Sequence, residues 1–425
     1  MQYSLKRLLF LNLLGIICYL IAATFSQFLS NTMVFCSATG IAFAFVMMIG
    51  FRMWPVILFG TLLAAVQYIC LRGSSPFTLA SISFILTTSA GGTIAVLWSV
   101  WLINRVIPER IPLFSLRGVI VFTLLGAGLS AIISALIGVE CRLVAGYISK
   151  EEFVANLIKW GVSHFLGVLI LAPPIMLWWR DHSIPPRHTR LELLLVTLSL
   201  MFVILLVFGP LYQLVGPQIG QPILLMLPLA WSAIRLKLRV TTLFILFTYF
   251  FMWWGTASGY GVFQIHGGDA TFTSSQTFLA TLTMTTLLIS TLALKNQNRA
   301  HELKIDQERM KLALEVANVS VWDKEIATGI NHSFLWLQQL GYKEGDIPNT
   351  TETWEKLLHP DDAERVLRHN KEYHKGGRKG EYQIEYRLRH KDSSYRWLLT
   401  QTNESLFIAE PPQRSTGIMV DVTKW

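Results

Sequence analysis

The chain has 425 residues, 52 % of them hydrophobic and only 15 % charged, with a net charge of +9. The whole excess lies in residues 1–294, which hold 16 Lys/Arg against 7 Asp/Glu, whereas residues 295–425 hold 20 of each. The positive charge therefore belongs to the edges of apolar segments and is no argument for nucleic acid. Four cysteines, all in or beside those segments and with no CxxC spacing, exclude a disulfide framework and a zinc site as organising features.

Ten apolar segments succeed one another at 8–28, 34–51, 54–71, 79–103, 118–139, 155–178, 191–208, 221–234, 240–257 and 274–294. Roughly 20 apolar residues in a helix cross the hydrocarbon core, so each is a candidate span, the eighth being the shortest. If all ten cross, one side of the membrane receives twelve basic residues, from Lys6 and Arg7 through Arg52, the group around Arg187 and the group from Arg235 to Arg239. The other receives four, Arg72, Arg142, Lys150 and Lys159. The positive-inside bias then places both termini in the cytoplasm of a multi-pass membrane protein, with the lipid bilayer as its first partner. The first segment is long for a signal peptide and is expected to remain as an anchor.

Transport and proton pumping usually place ionisable groups near the bilayer midplane. The seven acidic residues of this half all fall at segment ends or in loops. His164, inside the sixth segment, is the main polar interruption, and it stands either as a packed, hydrogen-bonded side chain or as a ligand or pH sensor. Arg52 and Arg235 read as edge anchors or as sensing residues. Trp54, Trp160 and Trp231 read as interfacial or packing aromatics, with Trp160 also a candidate for the sensing site beside His164.

The order of features resembles the first class of MASE, the membrane-associated sensor domains of bacterial signalling proteins. The matching residues are Thr39-Gly40, Gly50-Phe-Arg52-Met-Trp54-Pro55, Gly60, Trp160 with His164, Gly167 and Pro173, Trp231 with Arg235, and Thr256-Ala-Ser-Gly259-Tyr-Gly261. The chain departs from the pattern at His164, where an acidic residue is usual, and at Cys36-Ser37, where a Trp-Pro pair is usual.

From Lys295 to Val316 there is neither Gly nor Pro, and the good helix formers there predict a helical connector leaving the tenth segment, its apolar face too irregular for a confident heptad. Beyond it, Val319–Gly329 reads as a strand and turn, Ser333–Leu340 as a short helix stopped at Gly341, and His359-Pro-Asp-Asp362 as a helix start with acids over the positive dipole end. Tyr382, Ile384, Tyr386 and Leu388 alternate with polar residues. A turn at Lys391–Ser394 returns through Tyr395, Trp397 and Leu399, predicting a hairpin with one aromatic, core-facing side. Residues 416–423 give the last strand.

These elements resemble a PAS domain, through Trp322-Asp323, Leu340-Gly341-Tyr342, His359-Pro-Asp-Asp362, Tyr386-Arg-Leu-Arg389 with Lys391-Asp392 and Tyr395-Arg-Trp397, and the closing Asp421-Val-Thr423. Ser393 stands where the turn glycine is usual. The resemblance implies that Asp421 and Thr423 act as relay residues, coupling the core to an outgoing helix, beside the plainer reading of a strand-end hydrogen bond. It also implies an empty or small-ligand core. A flavin photoadduct has no cysteine here, and His359, His369 and His374 are poor haem ligands, so no cofactor is expected.

The expected fold class is a polytopic α-helical membrane domain of about ten spans and then a cytoplasmic α+β PAS domain with an antiparallel sheet. The boundaries are 1–294 for the sensor, 295–307 for the connector and 308–425 for the PAS domain. The two resemblances imply signal transduction from a multi-pass sensor of the bacterial inner membrane to the PAS domain, in the direction of cyclic di-GMP turnover. A homodimer and a downstream signalling enzyme are the implied partners. With no cyclase, phosphodiesterase or kinase motif and no metal site, the chain as given is expected not to be an enzyme, being either a fragment or a regulator acting through a partner. The alternative is a transporter or channel with a regulatory cytoplasmic domain, which the lack of midplane charge and of an inverted repeat disfavours.

Overall fold

A computed structural model describes residues 4–29, 37–71, 73, 75–107, 111–180, 187–265, 268–325, 327–375, 381–403 and 414–423. The loop charges Arg72, Glu109, Arg110 and Asp181 lie outside them. The chain divides into two compact units, Met1–Asn298 and Arg299–Trp425.

The described residues of the first unit are mainly helical, and its last helix runs on past Asn298. Its elements are α1 (Leu5–Leu29), α2 (Ser37–Ile49), α3 (Trp54–Leu71), α4 (Leu79–Val106), α5 (Leu116–Val121), a π-helical stretch (Phe122–Gly128) running directly into α6 (Leu129–Val144), α7 (Phe153–Arg180), α8 (Arg187–Val207), α9 (Leu211–Ile219), α10 (Met226–Arg235), α11 (Leu238–Ala257) and α12 (Gly268–Val316). Large apolar side chains such as Leu9, Ile21, Leu79, Leu198 and Phe202 lie on its exterior, each more than half exposed. In water that surface would be an aggregation site. Against lipid it is the surface that a span presents.

Among the described residues, eight helices are long and apolar enough to cross a membrane, and nine if a bent pair counts as one span. The ten predicted segments all appear as helix, and the count differs at two of them. The second is the apolar helix Ala38–Ile49, about 18 Å long and shorter than the hydrocarbon core. The eighth is half of the pair Leu211–Ile219 and Pro222–Arg235, bent by 103°. Gly216 at φ +71°, directly before Pro217, breaks the backbone of α9, because proline cannot supply the amide that would continue the ladder.

What replaces hydrophobic driving force between spans is close approach. A Cβ on Gly40 of α2 would sit 2.0 Å from the carbonyl oxygen of Gly167 in α7, and one on Gly255 of α11 would sit 1.9 Å from that of Phe208. Neither distance is possible for a real side chain. Polar side chains inside the unit mostly turn back on their own helix, as where Thr286, Ser290 and Thr123 donate to the carbonyls four residues earlier.

The second unit holds a four-stranded antiparallel sheet in the order β1-β4-β3-β2, formed by β1 (Val319–Glu325), β2 (Glu381–Arg389), β3 (Tyr395–Asn403) and β4 (Arg414–Asp421). Three helices, α13 (Leu335–Gln339), α14 (Thr351–Leu357) and α15 (Pro360–Lys375), connect β1 to β2. Asn318, left-handed at φ +54°, separates the end of α12 from β1. The core gathers Trp336, Leu337 and Leu340 from α13 and the residue after it with Tyr382, Ile384, Tyr386 and Leu388 from β2, Leu398 from β3 and Met419 from β4.

The hairpin is present, but its return strand faces the other way from the prediction. Tyr386 pairs with Leu398, Ile384 with Thr400 and Tyr382 with Thr402, while Arg387 pairs with Trp397 and Arg389 with Tyr395. Directly opposed residues share a face, so Leu398, Thr400 and Thr402 enter the core, and Trp397 stays 40 % exposed on the outer face with the Arg387 guanidinium 5.1 Å from its ring centre. The residues between the strands set this register, closed by a bond from the His390 amide to the Ser394 carbonyl. Ser393 takes φ +71° there, the left-handed conformation that explains why glycine is usual at this position.

Candidate functional site

In the membrane unit α7 carries His164 and Trp160 one turn apart. His164 is 2 % exposed, and its Nε2 has no hydrogen-bond partner among the described residues. Trp160 donates from Nε1 to Ser134 Oγ of α6 at 3.2 Å. Over its ring, 4.8 Å from the centre, lies the guanidinium of Arg142, which also donates to Tyr68 Oη of α3 at 2.9 Å. Three helices are thus joined at one end by an arginine stacked between a tryptophan and a tyrosine. From the sequence Arg142 reads only as a charge on the poorer side of the membrane. Its position within a turn of a span end, with an aromatic in each neighbouring span, is the signal that could have found it.

The other candidates lie elsewhere. Arg52 sits exposed in the short 3-10 turn Phe51–Met53, and its carbonyl accepts a long bond, 3.5 Å, from Asn12 Nδ2. Arg235 ends α10 and pairs with Glu192 of α8 through Nε and Nη2. Among the described residues no hydrogen bond, ion pair or ring contact joins Arg52, Arg235, Trp160 and His164 to one another.

In the second unit the space between sheet and helices is a cavity of about 80 Å³, room for several waters or a small ligand. Its wall is aromatic and hydroxylic. Trp354 donates from Nε1 to Tyr386 Oη at 3.0 Å, and that hydroxyl lies 2.8 Å from Thr400 Oγ1. Burial pushes the Tyr386 hydroxyl up to about 12, so it stays neutral and available as a donor. Trp322 also lines the cavity, and its buried Nε1 has no partner among the described residues. The indole covers Gly417 on the adjacent strand, where a Cβ would fall 2.4 Å from it. Neither His359 nor His369 lines this space. His359 instead holds the start of α15, with its ring 4.4 Å from that of Tyr395. The side chain of His374 lies outside the described residues.

The motif at the start of α15 proves to be a clamp. Asp362, 6 % exposed, accepts from the Arg387 amide at 3.0 Å, from its Nε at 2.8 Å and from its Nη2 at 3.2 Å. Those bonds hold the Asp362 carboxyl down at about 2. Asp421 and Thr423 form a second fastening, in which the Asp421 carboxylate accepts from the Thr423 amide at 2.9 Å and the Thr423 hydroxyl accepts from the Trp397 amide at 2.9 Å. The Val422 amide donates to the Trp397 carbonyl at 2.9 Å. The two residues therefore extend the β3–β4 ladder beyond its last regular pair and fix where the chain leaves the sheet.

A many-helix membrane unit preceding a small antiparallel sheet with an internal cavity defines a membrane sensor of signal transduction carrying a PAS domain. The MASE1 family model matches residues 5–297 and the PAS fold model residues 330–404. The chain belongs to the MASE1 family. Among solved structures, a sensory box histidine kinase/response regulator from Burkholderia thailandensis is 30 % identical, with 27 % of this chain and 86 % of that one covered and a TM-score of 0.23. The N-terminal domain of a diguanylate cyclase with PAS/PAC sensor from Marinobacter aquaeolei is 20 % identical, with 25 % and 96 % covered and a TM-score of 0.22. No curated protein matches the chain.

Proposed function

We propose that this protein is a receptor of the bacterial inner membrane in which the MASE1 unit responds to a stimulus and α12 passes the response to a cytoplasmic PAS domain, toward cyclic di-GMP turnover by an enzyme that the PAS domain controls. The observation that carries this reading is α12 itself, one helix from Gly268 to Val316 without a second glycine or any proline after its first residue. A helix of 49 residues is about 73 Å long, and a stimulus can act through it only by stabilising one of two arrangements of that helix over the other. Homodimerisation belongs to the same reading, since paired connectors would let such a displacement change the spacing of two outputs.

The cytoplasmic placement of both termini is supported by charge. Eight crossings alone would separate the basic group at Arg187–Arg190 from that at Arg235–Arg239. The bias is restored when α2 and the bent pair each return the chain to the opposite side. Reporter fusions at Gln213 and Gly259 are then periplasmic and one at Lys237 cytoplasmic, and a cytoplasmic signal at Gly259 overturns the orientation.

The relay is tested in the chain extended by a diguanylate cyclase domain after Trp425, with nucleotide turnover as readout. Two glycines inserted after Glu302 leave both units folded and abolish the change in turnover on adding stimulus or membrane extract. A helix-preserving insertion of seven residues retains it. Equal responses in all three chains would make the connector a tether and end the relay reading.

A further inference from the structure

The chain from Leu193 to Ile234 carries no charged residue. It holds most of α8, all of α9, the bend of 103° and all but the last residue of α10. By contrast the connection between α6 and α7, on the same side of the membrane by the charge count, carries Lys150, Glu151 and Glu152, as a loop in water should. In α9 the outward side chains are Leu214, 82 % exposed, and Ile219, 56 % exposed. Apolar side chains that far from the protein core, with no charge beside them to hold the segment in water, belong in hydrocarbon.

One ion pair fixes how deep this region lies. Arg235, at the end of α10, pairs with Glu192 of α8 and sets the two helices in register at their basic edge. From Glu192 to Val207, the last residue of α8, is about 22 Å. From Arg235 back to Pro222, where the 3-10 turn Pro222–Leu225 leads into α10, is also about 22 Å. The hydrocarbon core is about 30 Å thick, so both helices stop about 8 Å short of its far edge. Both also face lipid, α8 through Leu198 and Phe202 and α10 through Ile223, Leu227 and Trp231 at four-residue spacing. α2 is shorter still, but its Ala42, Phe43 and Ala44 are fully buried, so protein rather than lipid surrounds it.

We propose that α9 lies flat within the acyl region of the bilayer, that lipid chains are the partner of this surface, and that bilayer thickness is the stimulus the receptor reads here. A bilayer thicker than the α8–α10 pair must thin around it or change the tilt of α10, at a cost that rises with each ångström of mismatch. The bend lets α10 tilt, since Gly216 and Pro217 interrupt the backbone ladder before it. Its other end is fastened to the relay, where the Ile234 carbonyl accepts from Gln297 Nε2 of α12 at 3.2 Å. The step to α12 rests on the receptor reading above, whereas the burial of α9 in lipid does not.

The full chain is placed in nanodiscs of dimyristoleoyl-, dioleoyl- or dierucoyl-phosphatidylcholine, in order of increasing thickness. Leu214→Cys and Lys150→Cys, both at exposed positions, are treated with a membrane-impermeant maleimide, and labelling at each is read by peptide mass spectrometry. The reagent needs thiolate and water, so Leu214→Cys is expected to react about ten-fold more slowly than Lys150→Cys in the dioleoyl bilayer and more slowly still in the dierucoyl one. In the thin dimyristoleoyl bilayer the two rates converge. Equal rates at both positions in every bilayer, or a Leu214→Cys rate that ignores thickness, would overturn the proposal. In the chain extended by a cyclase domain, turnover is expected to follow thickness. Gln297→Ala should remove most of that dependence, while Asn296→Ala, at an exposed neighbour, keeps it. Thickness-dependent labelling with turnover that responds to membrane extract but not to thickness would overturn lipid as the stimulus. Turnover that responds to nothing would fail the receptor reading and leave α9 in the bilayer.

Discussion

The two units solve the burial of polar groups in opposite ways. The membrane unit keeps most of its hydroxyls on their own backbone, Ser134 and Tyr68 being exceptions, and brings helices together by removing side chains, so that Gly40 lies against the Gly167 carbonyl and Gly255 against that of Phe208. The PAS unit does the reverse, joining elements distant in sequence through side chains, as Asp362 joins Arg387 and Trp354 joins Tyr386. In lipid an apolar surface gains nothing by leaving its solvent, so packing must come from contact distance. In water burial supplies the drive, and polar clamps supply the alignment. The first arrangement should fail on a single added carbon, the second on the loss of a charge or a hydroxyl.

The largest effect is therefore expected from Gly40→Val, which puts branched carbons where even a Cβ is 2.0 Å from a backbone oxygen. It should cost about 3 kcal/mol or more and appear as aggregation on detergent extraction. A monodisperse variant with unchanged melting would remove close approach as the membrane unit's principle. Next, in residues 299–425 expressed alone, Leu398→Ala should cost about 2–5 kcal/mol because Leu398 is fully buried. Trp397→Ala should cost about 1 kcal/mol, the loss of an exposed cation–π contact and partial burial. Denaturant titration that reversed this order would return the return strand to the face predicted from sequence.

A smaller, pH-dependent effect belongs to the Asp362–Arg387 clamp. The folded carboxyl is held at about 2, below its ordinary 3.8, so the contribution is complete above about pH 5 and disappears as pH falls through 4 toward 2. It amounts to about 2 kcal/mol. Asp362→Asn should flatten that acid limb of the stability curve, and an unchanged limb would assign it to other carboxylates. The smallest change is a gain. Ser393→Gly relieves a left-handed serine at φ +71° and should stabilise the PAS unit by about 0.5–1 kcal/mol, read as a rise of a few degrees in melting temperature.

Much of this architecture is legible from residues. Alternation at Tyr382–Leu388 marks a strand buried on one face, the absence of Gly and Pro after Lys295 marks the connector, and the apolar segments mark the spans. The return strand is not legible because both of its faces contain apolar residues, Tyr395, Trp397 and Leu399 on one and Leu398 on the other. Only the length of the turn chooses between them, and turn length is a backbone property. The short α2 and the bend at Gly216 are similarly hidden, since hydropathy counts apolar residues without regard to where the helix stops. At the candidate site, Arg235 is found from its charge, while its pairing with Glu192 depends on how α8 and α10 lie together. Trp160 is found without Arg142, which sequence separates from it by a loop.

The π-helical stretch Phe122–Gly128 has a consequence for how such a protein tolerates altered length. Bonding five residues back instead of four accommodates one residue more than a regular helix would over the same rise. Because each residue advances an α-helix by about 100°, the surplus residue sets the azimuth of everything in α6, including Ser134, which receives the Trp160 indole. Deleting Leu125 should let the stretch close into ordinary α-helix and leave the bundle assembled with its registers intact on both sides. A deletion one turn beyond Ser134 has no such slack to consume and would swing Gly138 and Arg142 away from α7. The segment is a store of chain length, one residue deep, that a regular helix lacks.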